Sequence, residues 1–378
     1  MTPGRPSCWT EWANAANADT RHADRWREPR VLDGDGITHN LDDGRVAVSF
    51  ASNDYLGLTQ HPTVIAAAHD ALDRWGAGSG SARLIVGARP VHDELESALT
   101  AWKRESAALL FPTGFMANLG VLSALGGPDV LVCSDELNHA SIIDGCRMSR
   151  SEVAVHPHAD LDRLETHLAR RGERRALVVS DTVFSMDGDA APVDALCELC
   201  ARHGALLVLD EAHAVLGPEP SPDALAACDH VRVGTLSKAL GSLGGFAAGP
   251  APLIALLVNR SRPFIFTTAP TPADTAAALA AVRIVDSPDG RDLVRRLRAN
   301  TDRVRPGHPS PIVPIVCGEE RRAIEAAAAL LDRGLIVPAI RPPTVAPGTA
   351  RLRVTLSAIH TDAQIDQLQS GLDALGLG

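Results

Sequence analysis

The sequence predicts an α/β protein with a mostly parallel sheet that is covered by helices on both faces. Between about residues 91 and 250, short apolar runs alternate with amphipathic stretches of helical length. The runs are continuously apolar, which is typical of strands buried on both faces of a parallel sheet. Polar residues collect where the runs end, at the edge where such sheets bind ligands. We expect a smaller α+β region after this sheet.

Composition and charge exclude several classes of function. The chain has 378 residues, of which 45% are hydrophobic and 22% charged, as in a globular protein with room for more than one domain. The net charge of −10 comes without a basic stripe, so binding to nucleic acid is not expected. No apolar run reaches the length of a membrane span, and the N-terminus lacks the order of a secretory signal. We therefore expect a cytoplasmic protein without membrane contacts.

The chain divides by its pattern into three parts. Residues 1–50 are expected to form an N-terminal arm, residues 51–270 a large α/β domain, and residues 271–378 a small C-terminal α+β domain. The periodicity predicts helices at 62–75, 94–104, 193–203 and 272–285, and strands of the large domain at 107–111, 130–133, 153–155, 176–179, 205–209 and 231–233.

The two lysines of the chain, among 36 basic residues, stand in different settings. Lys103 belongs to the amphipathic helical stretch, where we expect it on the polar face with no role beyond solubility. Lys238 follows a short β-like run and lies among small and hydroxylated residues. An amine can lose its proton and form an imine with a carbonyl, which a guanidinium cannot. Lys238 is therefore either a reactive amine or a lysine in a surface turn.

Chemically useful residues follow the predicted strands of the large domain. A glycine opens a helix directly after the first strand, and free amides at a helix N-terminus suit a phosphate. Each of the other polar residues, taken alone, is equally well a cap or turn residue. Their occurrence at successive strand ends is much harder to explain by capping. The residues at these ends are Gly114, His139, Ser185, Asp210 with His213, and Lys238.

These residues together match one cofactor, pyridoxal 5′-phosphate (PLP). A carboxylate such as Asp210, at the end of an apolar strand, needs a cation or several donors, and a protonated ring nitrogen would serve. Lys238 would take the aldehyde, the helix start at Gly114 would take the phosphate, and His139 would cover the ring. Thr235 would add a hydroxyl to the phosphate site.

Other possible sites have plainer interpretations. Cys197 and Cys200 have the spacing of a redox or zinc pair, but they lie in a helical pattern without a second pair, which favours packing. His156 and His158 have no cluster of carboxylates or cysteines beside them, so we predict no metal site. Arg341 precedes two prolines in a turn, which makes it either a carboxylate clamp or a surface residue.

The sequence resembles the α-oxoamine synthase family of fold-type I PLP enzymes, whose fold is that of aspartate aminotransferase. The resemblance covers nearly the whole chain and is carried by segments 52–58, 235–238 and 348–353. Segments 138–141 and 184–189, and the Ile-Arg-Pro-Pro-Thr-Val motif that contains Arg341, are most similar to members that join L-alanine to a pimeloyl thioester. That resemblance implies a homodimer that takes pimeloyl-CoA or pimeloyl-acyl-carrier protein.

The resemblance also implies roles for the residues around the cofactor ring. Lys238 would hold the cofactor covalently, and Asp210 would pair with the ring nitrogen. His213 and Ser185 would contact the side of the ring that carries the phenolic oxygen, while His139 stacks on the ring face. Lys238, His139, Asp210 and His213 would be the catalytic residues.

Further residues are implied for the phosphate and the substrate. Gly114, Phe115 and Thr235 would bind the phosphate, completed by Thr267 or Thr268 of a second chain. Arg341 would bind the carboxylate of the amino acid, with Asn53 and Arg27 near the substrate.

Two segments depart from the family pattern, and two other functions compete. Residues 214–222 are shortened, which affects the entrance for the acyl chain more than the chemistry, and residues 289–311 are abbreviated. The first competing function uses glycine or another amino acid with a different acyl thioester. The second is a catalytically silent binding protein with the same fold.

Overall fold

The computed structural model describes residues 8–23 and 25–378. The chain folds into two compact units, one of residues 52–313 and 355–361, the other of the described residues up to 51 with 314–354 and 362–378. The three-part division proposed from the sequence stays a prediction. The strands are β1 Asp33–Asp35, β2 Thr38–Asn40, β3 Val46–Ser49, β4 Ala107–Phe111, β5 Val130–Asp135, β6 Glu152–His156, β7 Arg175–Asp181, β8 Leu206–Asp210, β9 His230–Thr235, β10 Gly245–Gly249, β11 Ile312–Gly318, β12 Leu335–Ile336, β13 Ala339–Ile340 and β14 Ala350–Thr355. The helices are α1 Trp9–His22, α2 Pro62–Trp75, α3 Pro90–Lys103, α4 Gly114–Leu125, α5 Ala140–Met148, α6 Leu161–Ala169, α7 Val193–His203, α8 Pro222–Ala227, α9 Ala251–Arg260, α10 Arg262–Ile265, α11 Pro272–Val285, α12 Pro288–Val304, α13 Glu320–Asp332 and α14 Asp362–Asp373.

The larger unit is built on one sheet with strand order β4-β10-β9-β8-β7-β5-β6. The neighbours β9, β8, β7, β5 and β6 run parallel, and the residues of β5, β7 and β8 are almost all buried. Separate apolar clusters lie on the two faces of the sheet, under different sets of helices. The predicted α/β class is therefore confirmed, as are the strands predicted from their apolar runs.

Strand β10 was not predicted, because its sequence Gly-Phe-Ala-Ala-Gly has little β-propensity. It runs antiparallel between β4 and β9. The small residues are required by α4, which packs against this strand. A Cβ at Gly245 would lie 2.5 Å from the backbone nitrogen of Gly114, closer than real Cβ atoms come. The close approach needed at the helix start thus removes the usual signal for a strand.

Helix α11 packs against both α2 and α3 in the larger unit. The alanine-rich α11 and the helices predicted at 62–75 and 193–203 have the expected bounds. Helix α12 lies in the segment that is abbreviated against the family pattern, and it was not predicted. Its sequence is rich in arginine, and it buries a narrow stripe that includes Leu297 and Thr301.

The prediction for Lys103 is wrong. Lys103 is the last residue of α3, and its side chain is only 8% exposed. Its ammonium pairs with the carboxylate of Glu211 at 2.7 Å. The amphipathic pattern placed Lys103 on a polar face correctly, but this end of the helix faces a buried carboxylate instead of solvent.

The smaller unit contains two sheets, with strand orders β1-β2-β3-β12 and β11-β14-β13. In the first sheet, β12 pairs in parallel with β3, which joins the N-terminal region to a C-terminal segment. Helices α13 and α14 also belong to this unit. Over residues 8–23 and 25–378, no helix has both the length and the apolar character needed to cross a membrane.

Candidate active site

The parallel strands of the larger unit bring their carboxyl ends to one edge of the sheet. Asp181, which ends β7, is paired in register with Asp210, which ends β8, and Asp210 is paired with Val233 of β9. The loop after β8 carries His213, and the loop after β9 carries Lys238. This arrangement follows from the parallel order, because successive strands then deliver their following loops to the same edge.

Lys238 belongs to a chain of polar contacts that ends deep in the protein. Its Nζ lies 2.8 Å from Nε2 of His213. The other ring nitrogen of His213, Nδ1, lies 2.5 Å from the hydroxyl of Tyr55. The Tyr55 hydroxyl also donates to Oδ1 of Asn53 at 3.2 Å. Both nitrogens of His213 are thus engaged, which fixes the orientation of the imidazole beside the amine.

Tyr55 was not predicted as a site residue. It is fully buried, and its hydroxyl supports His213 from the side opposite to Lys238. The signal for it was the presence of a single tyrosine in 378 residues, within the segment that carries the family resemblance. The same contacts connect the predicted Asn53 to Lys238 through Tyr55 and His213.

Asp210 anchors a second network, which leads to His139. The Asp210 carboxylate is buried, and Oδ2 accepts a hydrogen bond from Nδ2 of Asn118 at 2.6 Å. The same amide donates to Oγ of Ser141 at 2.9 Å, and that hydroxyl lies 2.7 Å from Nδ1 of His139. Oδ1 of Asp210 accepts from the N–H of Ala212 at 2.9 Å. Asn118 and Ser141 are site residues that sequence reasoning missed, although both lie in the segments that follow the predicted strands.

The protonation of the groups near Asp210 is shifted by burial and by charge. Burial, and then the nearby charge of Asp210, raise the pKa of Asp181 well above its ordinary value. Oδ2 of Asp181 accepts the backbone N–H of His139 at 2.7 Å, which holds the start of α5 in place. Loss of water around the imidazole lowers the pKa of His139, and Lys238 adds to this while Asp210 opposes it. A neutral imidazole is the form expected to lie flat on a ring.

The N-terminus of α4 forms an amide-lined corner. Thr113 caps the helix by accepting the N–H of Met116 at 3.1 Å. No hydrogen bond from the amides of Gly114 and Phe115 to another group is found in the described part of the chain. A Cβ at Gly114 would lie 3.1 Å from Cβ and 3.3 Å from Oγ1 of Thr235. Glycine at this position therefore lets the helix start approach the Thr235 hydroxyl.

The residues present fit PLP on four counts. The amide corner and the Thr235 hydroxyl offer donors to a phosphate. The Asp210 carboxylate has lone pairs left for a ring N–H, since each oxygen accepts a single hydrogen bond from Asn118 or Ala212. Lys238 offers an amine beside His213, and His139, whose Nδ1 lies 2.7 Å from the Ser141 hydroxyl, offers a flat ring. The phosphate donors, the carboxylate, the amine and the flat ring together thus suit a phosphorylated pyridine aldehyde.

The other predicted residues lie as follows. Ser185 is half-buried in the turn after β7, in the larger unit. Thr267 is half-buried and Thr268 exposed, in the segment after α10. Arg27 is exposed and Arg341 half-buried, and both belong to the smaller unit. The roles predicted for these five residues stay predictions.

The alternative metal and redox interpretations gain no support. Cys197 and Cys200 are fully buried in an apolar cluster, as packing predicts. His158 bridges two carboxylates, with Nδ1 3.1 Å from Asp135 and Nε2 2.6 Å from Asp189. Among residues 8–23 and 25–378 no group of histidine, cysteine or acidic side chains has the arrangement of a metal site.

Comparison with known proteins identifies the family. The model of aminotransferase class I and II matches residues 45–372. An 8-amino-7-oxononanoate synthase from Anaeromyxobacter dehalogenans is 50% identical over 374 residues, with 92% of this chain and 94% of the relative covered. A serine palmitoyltransferase structure described with PLP has a TM-score of 0.89 at 30% identity, covering 98% of this chain and 100% of that one. An 8-amino-7-oxononanoate synthase from Francisella tularensis has a TM-score of 0.71 at 25% identity, covering 88% and 97%.

Backbone similarity and sequence identity favour different members of the family. The TM-score is higher for the palmitoyltransferase, but it measures the path of the backbone, which members of one fold share whatever their substrates. Identity of 50% over 374 residues compares side chains as well as the path of the backbone, and we give it more weight. The predicted fold-type I class and the predicted cofactor are confirmed. The chain therefore belongs to the aminotransferase class I and II family and, within it, to the PLP-dependent 8-amino-7-oxononanoate synthases.

Proposed function

We propose that the enzyme joins L-alanine to a pimeloyl thioester, with loss of carbon dioxide, to give 8-amino-7-oxononanoate and a free thiol. The thiol is coenzyme A or that of an acyl-carrier protein, and the product belongs to biotin biosynthesis. The observation that carries the proposal is the 2.8 Å contact of Lys238 Nζ with His213, at the strand end next to Asp210. The choice of substrates rests on the name shared by the relatives.

Each side chain of the site has a role in this reaction that follows from its chemistry. PLP, when bound, supplies an aldehyde that takes an amine and a protonated ring that accepts electrons from the α-carbon of the amino acid. Asp210 would hold the proton on the ring nitrogen, because a buried carboxylate beside that nitrogen favours the protonated ring. Lys238 would bind the cofactor, and its Nζ would be the base that moves the α-proton of alanine. His213 and Tyr55 keep that amine oriented.

Other residues bind and exclude water. The amides of Gly114 and Phe115 and the hydroxyl of Thr235 would hold the phosphate and so keep the cofactor in place beside Lys238. His139 covers the exposed face of the ring and shields it from solvent. Arg341 binds the alanine carboxylate, with Asn53 and Arg27 close to the substrate, and Ser185 contacts the ring oxygen together with His213.

A homodimer would complete the phosphate site with Thr267 or Thr268 of the second chain. Segment 266–270, which contains both threonines, hydrogen-bonds to the glycine-rich loop at 76–87. Large apolar side chains are exposed in these two segments, and a second chain would remove them from water. They are Leu84, Ile85, Val86 and Phe266, with exposures of 51%, 73%, 70% and 70%.

Hybrid dimers test the interface. We expect Lys238→Ala chains and chains carrying Thr267→Ala with Thr268→Ala to be inactive or weak alone, yet to regain activity on mixing. Mixed dimers would contain one site with intact lysine and intact threonines. A fully active monomer in sedimentation would contradict the proposal. A cytoplasmic location likewise stays a prediction.

Thiol release tests the substrates. Purified enzyme is assayed with alanine, glycine and serine against pimeloyl, acetyl, succinyl and palmitoyl thioesters. We expect alanine with the pimeloyl thioester to give the highest kcat/KM, because the relatives bear that activity in their name. A preference for serine with palmitoyl thioester would instead follow the backbone similarity to the palmitoyltransferase.

Two lysine variants test the chemistry at Nζ. Lys238→Arg keeps the positive charge beside His213 but removes the amine, and Lys238→Ala removes both. We expect both to lose the visible absorbance of the bound cofactor and product formation. If either kept both properties, the role of Lys238 would be wrong. A colourless wild-type protein that binds no PLP would point to a silent member of the fold.

A further inference from the structure

A buried cluster of charges lies directly beside the cofactor-binding segment. Glu211, between Asp210 and His213, has a side chain only 3% exposed. Its Oε2 lies 2.7 Å from Nζ of Lys103, and its Oε1 accepts from Nε of Arg232 at 2.5 Å. Arg232 also donates to the backbone carbonyl of Lys103 at 3.0 Å. The cluster thus joins the end of α3, strand β9 and the loop that follows β8.

The charges of this cluster are interdependent. Burial alone would raise the pKa of Glu211, but attraction to Lys103 and Arg232 outweighs it and lowers the pKa. The side chains of Lys103 and Arg232 are 8% and 6% exposed, so neither cation has water as a substitute for Glu211. The next carboxylate, Glu219, is 3.9 Å from Arg232 and largely exposed. Loss of Glu211 would leave two uncompensated cations in the interior, which is strongly destabilising, whereas loss of Lys103 removes one of the two partners that hold Glu211 and leaves its pair with Arg232.

The backbone around Glu211 ties the cluster to the site. The N–H of Glu211 donates to the carbonyl of Val233 at 2.8 Å, and its carbonyl accepts from Ala214 at 3.1 Å. These bonds hold the turn in which Asp210 and His213 point to the cofactor side. The side chain of Glu211 is the member of this turn that reaches away to α3 and β9.

We propose that Lys103, Glu211 and Arg232 are positioning residues for PLP, because they hold the turn that carries Asp210 and His213. The proposal rests on the roles proposed above for those two residues. Lys103 and Lys238 then act on the same short segment, Lys238 at His213 and Lys103 at Glu211. The three cluster residues act through this turn and not by contact with the cofactor or the reacting atoms.

Packing alone does not hold this turn. A cavity of about 200 Å³ adjoins it and is lined by Lys103, Glu211, Ala212, Trp102 and Phe246, among others. The Trp102 ring centroid lies 4.0 Å from Nζ of Lys103 and gives the ammonium a second favourable contact. Because open space borders the turn, the ion pair resists its displacement together with the two backbone hydrogen bonds of Glu211. The same space would admit a small amine if the lysine side chain were shortened.

The first experiment compares Lys103→Met with Arg104→Met in the holoenzyme. Both changes replace a cation by methionine, but Arg104 is exposed and lies outside the cluster. Two properties are measured without amino acid or thioester: the dissociation constant of PLP and the pH midpoint of the visible absorbance of the bound cofactor. We expect Lys103→Met to weaken PLP binding about tenfold or more and to shift the midpoint. Arg104→Met should change neither.

The second experiment restores the charge from solution. In Lys103→Ala the cavity is enlarged, and ethylammonium should recover PLP affinity and the pH midpoint in a saturable way, with no effect on wild type. A lysine that only stabilises the fold would change thermal stability and leave the pH midpoint at the wild-type value. A folded Lys103→Met protein with wild-type affinity and midpoint would overturn the proposal.

A triple variant covers the case in which Lys103→Met does not fold. Lys103→Met with Glu211→Gln and Arg232→Met removes all three buried charges, so none is left unpaired and folding should recover while the turn lacks its anchor. We expect PLP affinity to stay below wild type, and a wild-type affinity there would also overturn the proposal. Because substrates are absent from all these measurements, an error in the proposed alanine or pimeloyl specificity would not affect them.

Discussion

Asn118→Ala is the substitution with the most direct expected effect on the cofactor. The Asn118 amide is the side-chain donor that lies 2.6 Å from the Asp210 carboxylate, and Asn118 itself is 1% exposed. Alanine at this position removes the donor, and water has little access to replace it. Asp210 would keep the N–H of Ala212 and lose the partner on Oδ2.

The magnitude follows from the kind of hydrogen bond. A bond to a charged, buried acceptor contributes about 1.5–3 kcal/mol. If the full amount is lost when Asp210 must hold a proton on the ring nitrogen, the rate falls roughly 10-fold to 150-fold. The Ser141 hydroxyl also loses its amide donor, so the position of His139 is expected to loosen. We therefore expect a fall in kcat together with weaker PLP binding.

Asn138→Ala is the matched control for this experiment. Asn138 is also a buried asparagine, 4% exposed, in the loop after β5, but its amide donates to Ser134 and to the Val179 carbonyl. Its side chain therefore supports the neighbouring strands and not the Asp210 carboxylate. We expect Asn138→Ala to lower the unfolding midpoint with a smaller loss of kcat per folded enzyme. Equal losses in both variants, or an unchanged kcat in Asn118→Ala, would refute the role given to the amide.

Three further predictions concern the support of the site. Tyr55→Phe removes the hydroxyl 2.5 Å from the imidazole that contacts Lys238, so we expect kcat to fall about fivefold with an unchanged circular dichroism spectrum; an unchanged kcat would contradict this. Burial lowers the pKa of His158, but the two flanking carboxylates outweigh it and raise the pKa overall. The advantage of wild type over His158→Gln in unfolding midpoint should be full below the ordinary histidine pKa and disappear as pH rises through the higher folded value; a constant advantage would count against it. Gly245→Ala places a Cβ 2.5 Å from the amide at the start of α4 and should weaken PLP binding at least about tenfold, whereas Gly127→Ala, whose Cβ would meet only the exposed Asp129 carboxylate at 3.3 Å, should not.

The parts of the fold that follow from local pattern were predictable. Apolar runs such as 107–111 became buried strands, and the helix that opens at Gly114 begins at that residue. The parallel order then requires the strand ends to share one edge, which is why Asp210 and Lys238 were found together as expected. These features depend on residues close in sequence or on a general rule for parallel sheets.

The supporting residues were not predictable, because their roles depend on contacts between distant segments. Asn118 lies one helical turn inside α4 and reaches Asp210, 92 residues later, only because α4 packs over the strand ends. Tyr55 reaches His213 across 158 residues. Apolar periodicity can place both residues on a buried face. It does not specify which polar atom of a distant segment each side chain will contact. Strand β10 was missed because its contact with α4 requires small residues, and small residues have low β-propensity.

Lys103 lies in a buried ion pair instead of on the surface, and this difference from the prediction bears on the proposed mechanism. The sequence predicted a chemical role for Lys238, because an amine can form an imine and a guanidinium cannot. It predicted no role beyond solubility for Lys103 in its amphipathic helix. Yet the chain uses arginine for almost every cation, and its other lysine is also buried, opposite a carboxylate two residues from His213. A compact ammonium can fit between Trp102 and Glu211 while Arg232 occupies the other oxygen with its planar fork. If both lysines act on the same turn, one holds the position of the side chains that bind PLP and the other reacts with it. Substitutions in α3, remote in sequence from the strand ends, should then change the spectrum of the bound cofactor.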